Sequence, residues 1–281
     1  MLRKFVSSLL AAVMLLATVA AGSPPAAPAA TPTPSAPAVN VTLNVYAAAS
    51  LTAAFNEIGQ RFEEYNPGVN VVFNFAGSQL LSAQIVEGAP ADVFASANTA
   101  QMKVAAGSGR MNTSTTFVYN RLIVIVPKGN PAGIESLQDL ATPGLHLVLA
   151  AKAVPVGQYS LDFLAKASAD PTFSPTYQQD VLANVVSYED NVKAVFSKVA
   201  LGEADAGIVY TTDAIGPDAL LIKKFAIPDA LNTIATYPIA SLGDSANLFW
   251  AKGFVRFVLS RDGQRILQKY GFIAGAPTTK K

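Results

Sequence analysis

The chain has 281 residues, 51% of them hydrophobic, and 20 Lys and Arg against 19 Asp and Glu leave a formal net charge of +1. That balance excludes the broad basic field that nucleic acid or an anionic membrane surface attracts. Cysteine is absent and histidine occurs once, at His146, which excludes disulfides, thiolate metal sites, cysteine nucleophiles and any centre built on two histidines.

Residues 1–21 open with Arg3 and Lys4, continue as an apolar run and end on Val19, Ala20 and Ala21. This is the pattern of a secretory signal peptide, too short for a membrane span. Residues 22–40 are rich in Pro, Ala, Ser and Thr without apolar periodicity, as in an extended tether. The mature protein is expected outside the cytoplasm, secreted or periplasmic, and a tether at the membrane surface is the alternative.

Residues 41–46 (VTLNVY) alternate as a strand does, and 51–65 place Leu51, Phe55, Ile58 and Phe62 at helical spacing. Asn66-Pro67-Gly68 stops that helix. A strand over 69–75, a helix over 79–87, a strand over 91–96 and a helix over 99–106 follow. Residues 122–127 (LIVIVP) are continuously apolar, as in a strand buried on both faces. A second series comprises a strand at 145–150 containing His146, a helix at 157–166 and a strand at 181–186. It continues with a helix at 191–201 and a strand at 206–210. Residues 236–241 (TYPIAS) read as a strand returning to the first sheet. Two helices fill 247–270, broken near Arg261-Asp262-Gly263. This order predicts an α/β protein of two lobes, each a doubly wound, mostly parallel sheet, with two crossing strands as a hinge. Lobe 1 is expected over 41–121 plus 238–281 and lobe 2 over 122–237.

Ligands of open α/β sheets lie beyond the carboxyl ends of the strands, where helices start. Ser50 and Ser78 each follow a strand there, either as plain N-caps or with hydroxyls turned to a ligand. Two such helix starts favour one shared negative charge. In the second half, the N–H groups of Val156 and Val192 sit in first helical turns, and Tyr210 ends the strand AGIVY. Ordinary helix starts and a core aromatic are the plain alternatives for these three.

The segments AASLTAAFNEIGQRFEEYNPGVNVVFNFAGSQLLSAQIVEGAPADVFASAN, VPVGQY, EDNVKAVFSKVALGEADAGIVYTTDA and QRILQKYGF together resemble the periplasmic molybdate-binding proteins, in order and over nearly all of the mature chain. The resemblance implies a two-lobed, type II-like periplasmic binding protein serving the permease of an ABC transporter. It implies side-chain donors from Ser50, Ser78 and Tyr210 and main-chain donors from Val156 and Val192. Family members often carry alanine where this chain has Val156, a change that a backbone donor tolerates. The metal would enter only as molybdate or tungstate, with no cofactor, and a monomer is the default for a shuttle. A receptor for sulfate or another oxyanion is the nearest rival. A secreted enzyme using paired carboxylates, Glu189-Asp190 or Asp205 with Asp213, is the more distant one, and no enzyme is expected.

Overall fold

The computed structural model describes residues 40–275. The expected signal peptide, the tether up to residue 39 and the residues after 275 lie outside them.

The first sheet starts with β1 (Val41–Ala48), which passes through a single 3-10 turn (Ala49–Leu51) into α1 (Thr52–Tyr65). Then come β2 (Val69–Ala76), α2 (Ser78–Val86), β3 (Val93–Ala95), α3 (Thr99–Ala106) and β4 (Thr115–Asn120). The four apolar residues at helical spacing are all buried. Phe55 packs its ring 6.1 Å from Phe73 and 5.9 Å from Phe117, and Phe62 lies 5.3 Å from Phe254. An aromatic layer therefore fixes α1 on its sheet.

One residue, Arg121, separates β4 from β5 (Leu122–Pro127) in the second sheet. That sheet continues with β6 (Leu147–Ala150), α4 (Pro155–Ala169), α5 (Tyr177–Ala183), β7 (Val185–Glu189), α6 (Val192–Ala200), β8 (Ala206–Tyr210) and β9 (Ile222–Ala226). The chain returns as β10 (Ala235–Ser241) and ends with α7 (Leu248–Leu259), α8 (Arg261–Lys269) and β11 (Ile273–Ala274). The strand orders are β11-β4-β10-β3-β1-β2 and β7-β6-β8-β5-β9.

Both sheets are mixed rather than mostly parallel, and the division has a cause. The β1–β2, β1–β3, β6–β7 and β6–β8 ladders are parallel because helices cross between those strands. The crossing strands β4, β5 and β10 run against their neighbours. All of β10 lies in the first sheet, so the return precedes residue 238. Pro238 is accommodated there at a register shift in the β10–β4 ladder.

Two further expectations are corrected. Residues 181–186 do not form one strand: α5 covers their start, β7 begins only at Val185, and Asn184 caps the helix between them. His146 precedes β6 and is exposed, and its N–H donates to Asp205 Oδ2 at 2.7 Å. The 145–150 strand is thus shorter, Leu147–Ala150.

The second crossover is stitched to the first. Asn232 accepts the Leu122 N–H through Oδ1 at 3.1 Å and donates to the Leu122 carbonyl through Nδ2 at 2.9 Å. Asn120 at the end of β4 exchanges bonds with Thr211 and Thr212, which follow β8, at 2.9 and 2.8 Å.

Candidate functional site

Parallel strands deliver their carboxyl ends to one side of each sheet, and the two sides face each other. Four helical starts therefore meet: the turn before α1, and α2, α4 and α6. Between them lies a cavity of about 10 Å³, lined by Ser50, Ser78, Val156, Val192 and Tyr210. The remaining lining residues are Ala48, Ala49, Ala76, Gly77, Ala97, Val154, Pro155 and Asn191. All five candidates from the sequence thus border one space.

Neither serine caps its helix. Ser50 Oγ is paired with Tyr237 Oη at 2.9 Å. Ser78 Oγ accepts the Ala97 N–H at 3.0 Å, so its own proton is free to point elsewhere. The first-turn N–H groups of these helices have no intrahelical acceptor. At α4 the first position is Pro155, which has no N–H to satisfy, and Val156 supplies the next one. At α6 Asn191 Oδ1 caps the N–H of Ala194 at 3.1 Å, leaving the Val192 N–H ahead of the cap.

The Tyr210 hydroxyl is buried and has no hydrogen-bond partner among the described residues. An orphaned buried hydroxyl costs about 1–3 kcal/mol and calls for an acceptor. Its ring stands edge-on to Tyr237, with centroids 5.9 Å apart. Burial pushes its phenol well above the usual tyrosine range. The backbone N–H of Tyr210 donates to Asp213 Oδ2 at 3.1 Å, and Lys193 Nζ lies 3.0 Å from Asp213 Oδ1. Burial raises the Asp213 carboxyl, and Lys193 works against that rise. The pair ties the residue after Val192 to the turn after Tyr210, holding two cavity residues in register.

No lysine or arginine lines the cavity. The N–H and O–H donors among its lining residues stand at the positive ends of helices, an arrangement that stabilises an anion without desolvating a cation.

The lobes are latched shut around this space. Gln79 Nε2 on α2 donates to the Asp190 carbonyl at 2.8 Å, and Gln101 Nε2 on α3 reaches the Ala153 carbonyl at 3.3 Å. Gly77 lies so near the opposite lobe that a Cβ would stand 2.3 Å from the Asp190 carbonyl oxygen. Sequence reasoning missed these inter-lobe contacts, and it also missed Tyr237 and Asn120. The visible trace was the small-residue runs AAAS and FAGS at strand ends.

The paired carboxylates do not converge. Glu189 accepts from Lys198 at 2.6 Å and from Ser187 at 2.6 Å; burial raises its carboxyl, but these bonds outweigh it and hold it low. Asp205 and Asp213 lie at opposite ends of β8, with a whole strand between them.

Residues 43–273 match the family model described as bacterial extracellular solute-binding protein. The chain is 39% identical to the molybdate-binding protein ModA of Mycobacterium tuberculosis over 268 residues, which are 95% of this chain and 96% of that one. Among solved structures it is similar to the periplasmic molybdate-binding protein of Azotobacter vinelandii, with TM-score 0.71, 21% identity and coverage of 83% and 99%. It is also similar to the sulfate-binding protein SubI of Mycobacterium tuberculosis, with TM-score 0.75, 17% identity and coverage of 85% and 88%. At such identities both structures speak for the fold alone.

Proposed function

The chain belongs to the bacterial extracellular solute-binding proteins, and from that premise we propose that it captures molybdate, and tungstate with it, between its lobes for an ABC transporter permease. One observation carries the reading: four helical starts, two serine hydroxyls and an orphaned tyrosine hydroxyl surround a small cavity that no cation lines. Ser50, Ser78 and Tyr210 would give side-chain hydrogen bonds to the anion oxygens, and Val156 and Val192 main-chain ones. An all-donor site leaves a protonated oxyanion with a bond unmade, which disfavours phosphate near neutral pH. Sulfate shares charge and shape with molybdate and is smaller, so its rejection would have to come from cavity size. The protein would act as a monomeric carrier outside the cytoplasm, its closed face read by the permease.

Calorimetric titration with molybdate, tungstate, sulfate and phosphate tests this. Strong heats are expected from the first two and weak or no heat from the others. Four equally weak signals would end the proposal, and a preference for sulfate would transfer the site to the rival anion.

Main-chain donation can be tested separately. Val192 is the first residue of α6, and Asn191 before it is extended, a setting that proline tolerates. Val192→Pro deletes the N–H while keeping the helix, and molybdate affinity is expected to fall by about 10- to 100-fold. Val192→Ala retains the N–H and should bind far better than Val192→Pro. Equal affinities in the two variants would remove Val192 as a donor.

The donors should also be insensitive to alkali. The Tyr210 phenol is held above its usual range by burial, so it keeps its proton when an exposed tyrosine begins to lose one. Molybdate affinity is therefore expected to stay level between about pH 8 and 10, where an ordinary tyrosine becomes half ionised. A steady decline over that window, measured by titration, would contradict a protonated Tyr210 donor.

A further inference from the structure

Ser50 is held from behind by groups that do not border the cavity. Tyr237 on β10 and Asn120 at the end of β4 are both fully buried. Asn120 Oδ1 accepts the Arg121 backbone N–H at 2.9 Å. A backbone N–H can only donate, so this contact fixes which end of the amide is oxygen. Thr211 Oγ1 adds a second donor to the same oxygen at 2.9 Å. The opposite end, Nδ2, must then be the donor, and it reaches Thr212 Oγ1 at 2.8 Å and Tyr237 Oη at 3.4 Å.

The direction propagates. Tyr237 Oη accepts from Asn120 Nδ2 at 3.4 Å, which leaves its own hydrogen free to donate, and Ser50 Oγ stands 2.9 Å away in a position to accept it. Ser50 Oγ receives that hydrogen, and its own proton then turns to whatever enters the cavity it lines. Were the amide reversed, Tyr237 would donate to it and accept from Ser50, and a lone pair of Ser50 would face the ligand.

We infer that Asn120 and Tyr237 are specificity-determining positioning residues whose one-way hydrogen-bond relay, Asn120 to Tyr237 to Ser50, commits the Ser50 hydroxyl to donating and so excludes oxyanions that still carry a proton. This rests on the oxyanion reading above and names the device that enforces it. Neither residue touches the ligand. The relay begins where the chain crosses from one sheet to the other, and Thr212 lies two residues beyond Tyr210, so its origin spans both lobes.

Asn120→Asp reverses the relay with little change of shape, because an ionised carboxylate accepts from Tyr237 where the amide donated. Sulfate and hydrogen phosphate serve as probes at mildly alkaline pH, where both are dianions and only phosphate carries a proton. Each is measured in competition with bound molybdate. An added negative charge weakens both alike, so the ratio of their affinities isolates the proton, and a merely structural defect would leave that ratio unmoved. The ratio is expected to shift toward hydrogen phosphate by about tenfold or more in Asn120→Asp. Tyr237→Phe, which frees Ser50 to turn either way, is expected to shift it by about threefold. If Asn120→Asp does not fold, as judged by thermal melting, Tyr237→Phe decides alone. An unchanged ratio in a folded variant, with molybdate still bound by the wild type, overturns the relay and leaves the receptor assignment standing. Failure of the wild type to bind molybdate overturns both.

Discussion

Gly77→Ala is expected to lower molybdate affinity by about a hundredfold or more while leaving the melting temperature of the ligand-free protein nearly unchanged. The backbone at Gly77 has φ −60° and ψ 137°, a conformation alanine adopts without strain. The difficulty is external. A Cβ would lie 2.3 Å from the Asp190 carbonyl oxygen and about as close to the Gln79 side-chain amide, at 2.4 Å. Gln79 can swing aside, although it then gives up its bond to Asp190. The carbonyl belongs to the opposite lobe and can retreat only if the lobes part. Relief of such an overlap is worth about 1–3 kcal/mol, and the lost latch and looser donors add to it. Calorimetry gives the affinity, and small-angle scattering with and without molybdate reports closure. Wild-type affinity in Gly77→Ala would show that the lobes approach less closely when the ligand is bound.

The second large effect is expected at Ser78. Its hydroxyl accepts from the buried Ala97 N–H and keeps its own proton for the cavity. Ser78→Ala removes a charge-assisted bond to the anion, worth about 1.5–3 kcal/mol, and molybdate affinity should fall by about 10- to 100-fold. The same change orphans the Ala97 N–H, at about 1–3 kcal/mol, so the ligand-free protein should melt several degrees lower. This double signature separates Ser78 from Gly77, where binding suffers and folding does not. An Ser78→Ala protein that melts lower yet binds as tightly as wild type would reduce Ser78 to a structural prop for Ala97.

Elements with long, clean periods were legible. The spacing of Leu51, Phe55, Ile58 and Phe62 predicts α1, and the unbroken run LIVIVP predicts β5, because each pattern admits one burial geometry. The segment DVLANVV supports either period; Tyr177 and Val181, four apart, are buried in α5, and the following strand is short. Strand β9 hides because it is an edge whose Lys223 and Lys224 are exposed, as edge strands commonly are. Strand direction was beyond reach, since alternation reports burial and not which way a neighbour runs.

The candidate site divides in the same way. Ser50 and Ser78 announce themselves as polar residues at helix starts. Val156 and Val192 are fainter: a backbone N–H leaves no mark on its side chain, so only their place in a first helical turn points to them, and the family resemblance adds the donor role. The approach of Gly77 to Asp190 joins residues from opposite lobes, and no local pattern encodes such a distance.

The placement of β10 has a consequence for how the chain acquires its shape. In the first sheet β10 lies between β4 and β3, both of which precede the whole second lobe in sequence. A polypeptide emerging from its N-terminus therefore holds β3 and β4 apart, each with an open margin, until Ala235 arrives. Completion of the first lobe becomes a late, long-range event, which slows folding. A chain that ended before Ala235 would leave β3 and β4 without the strand that joins them.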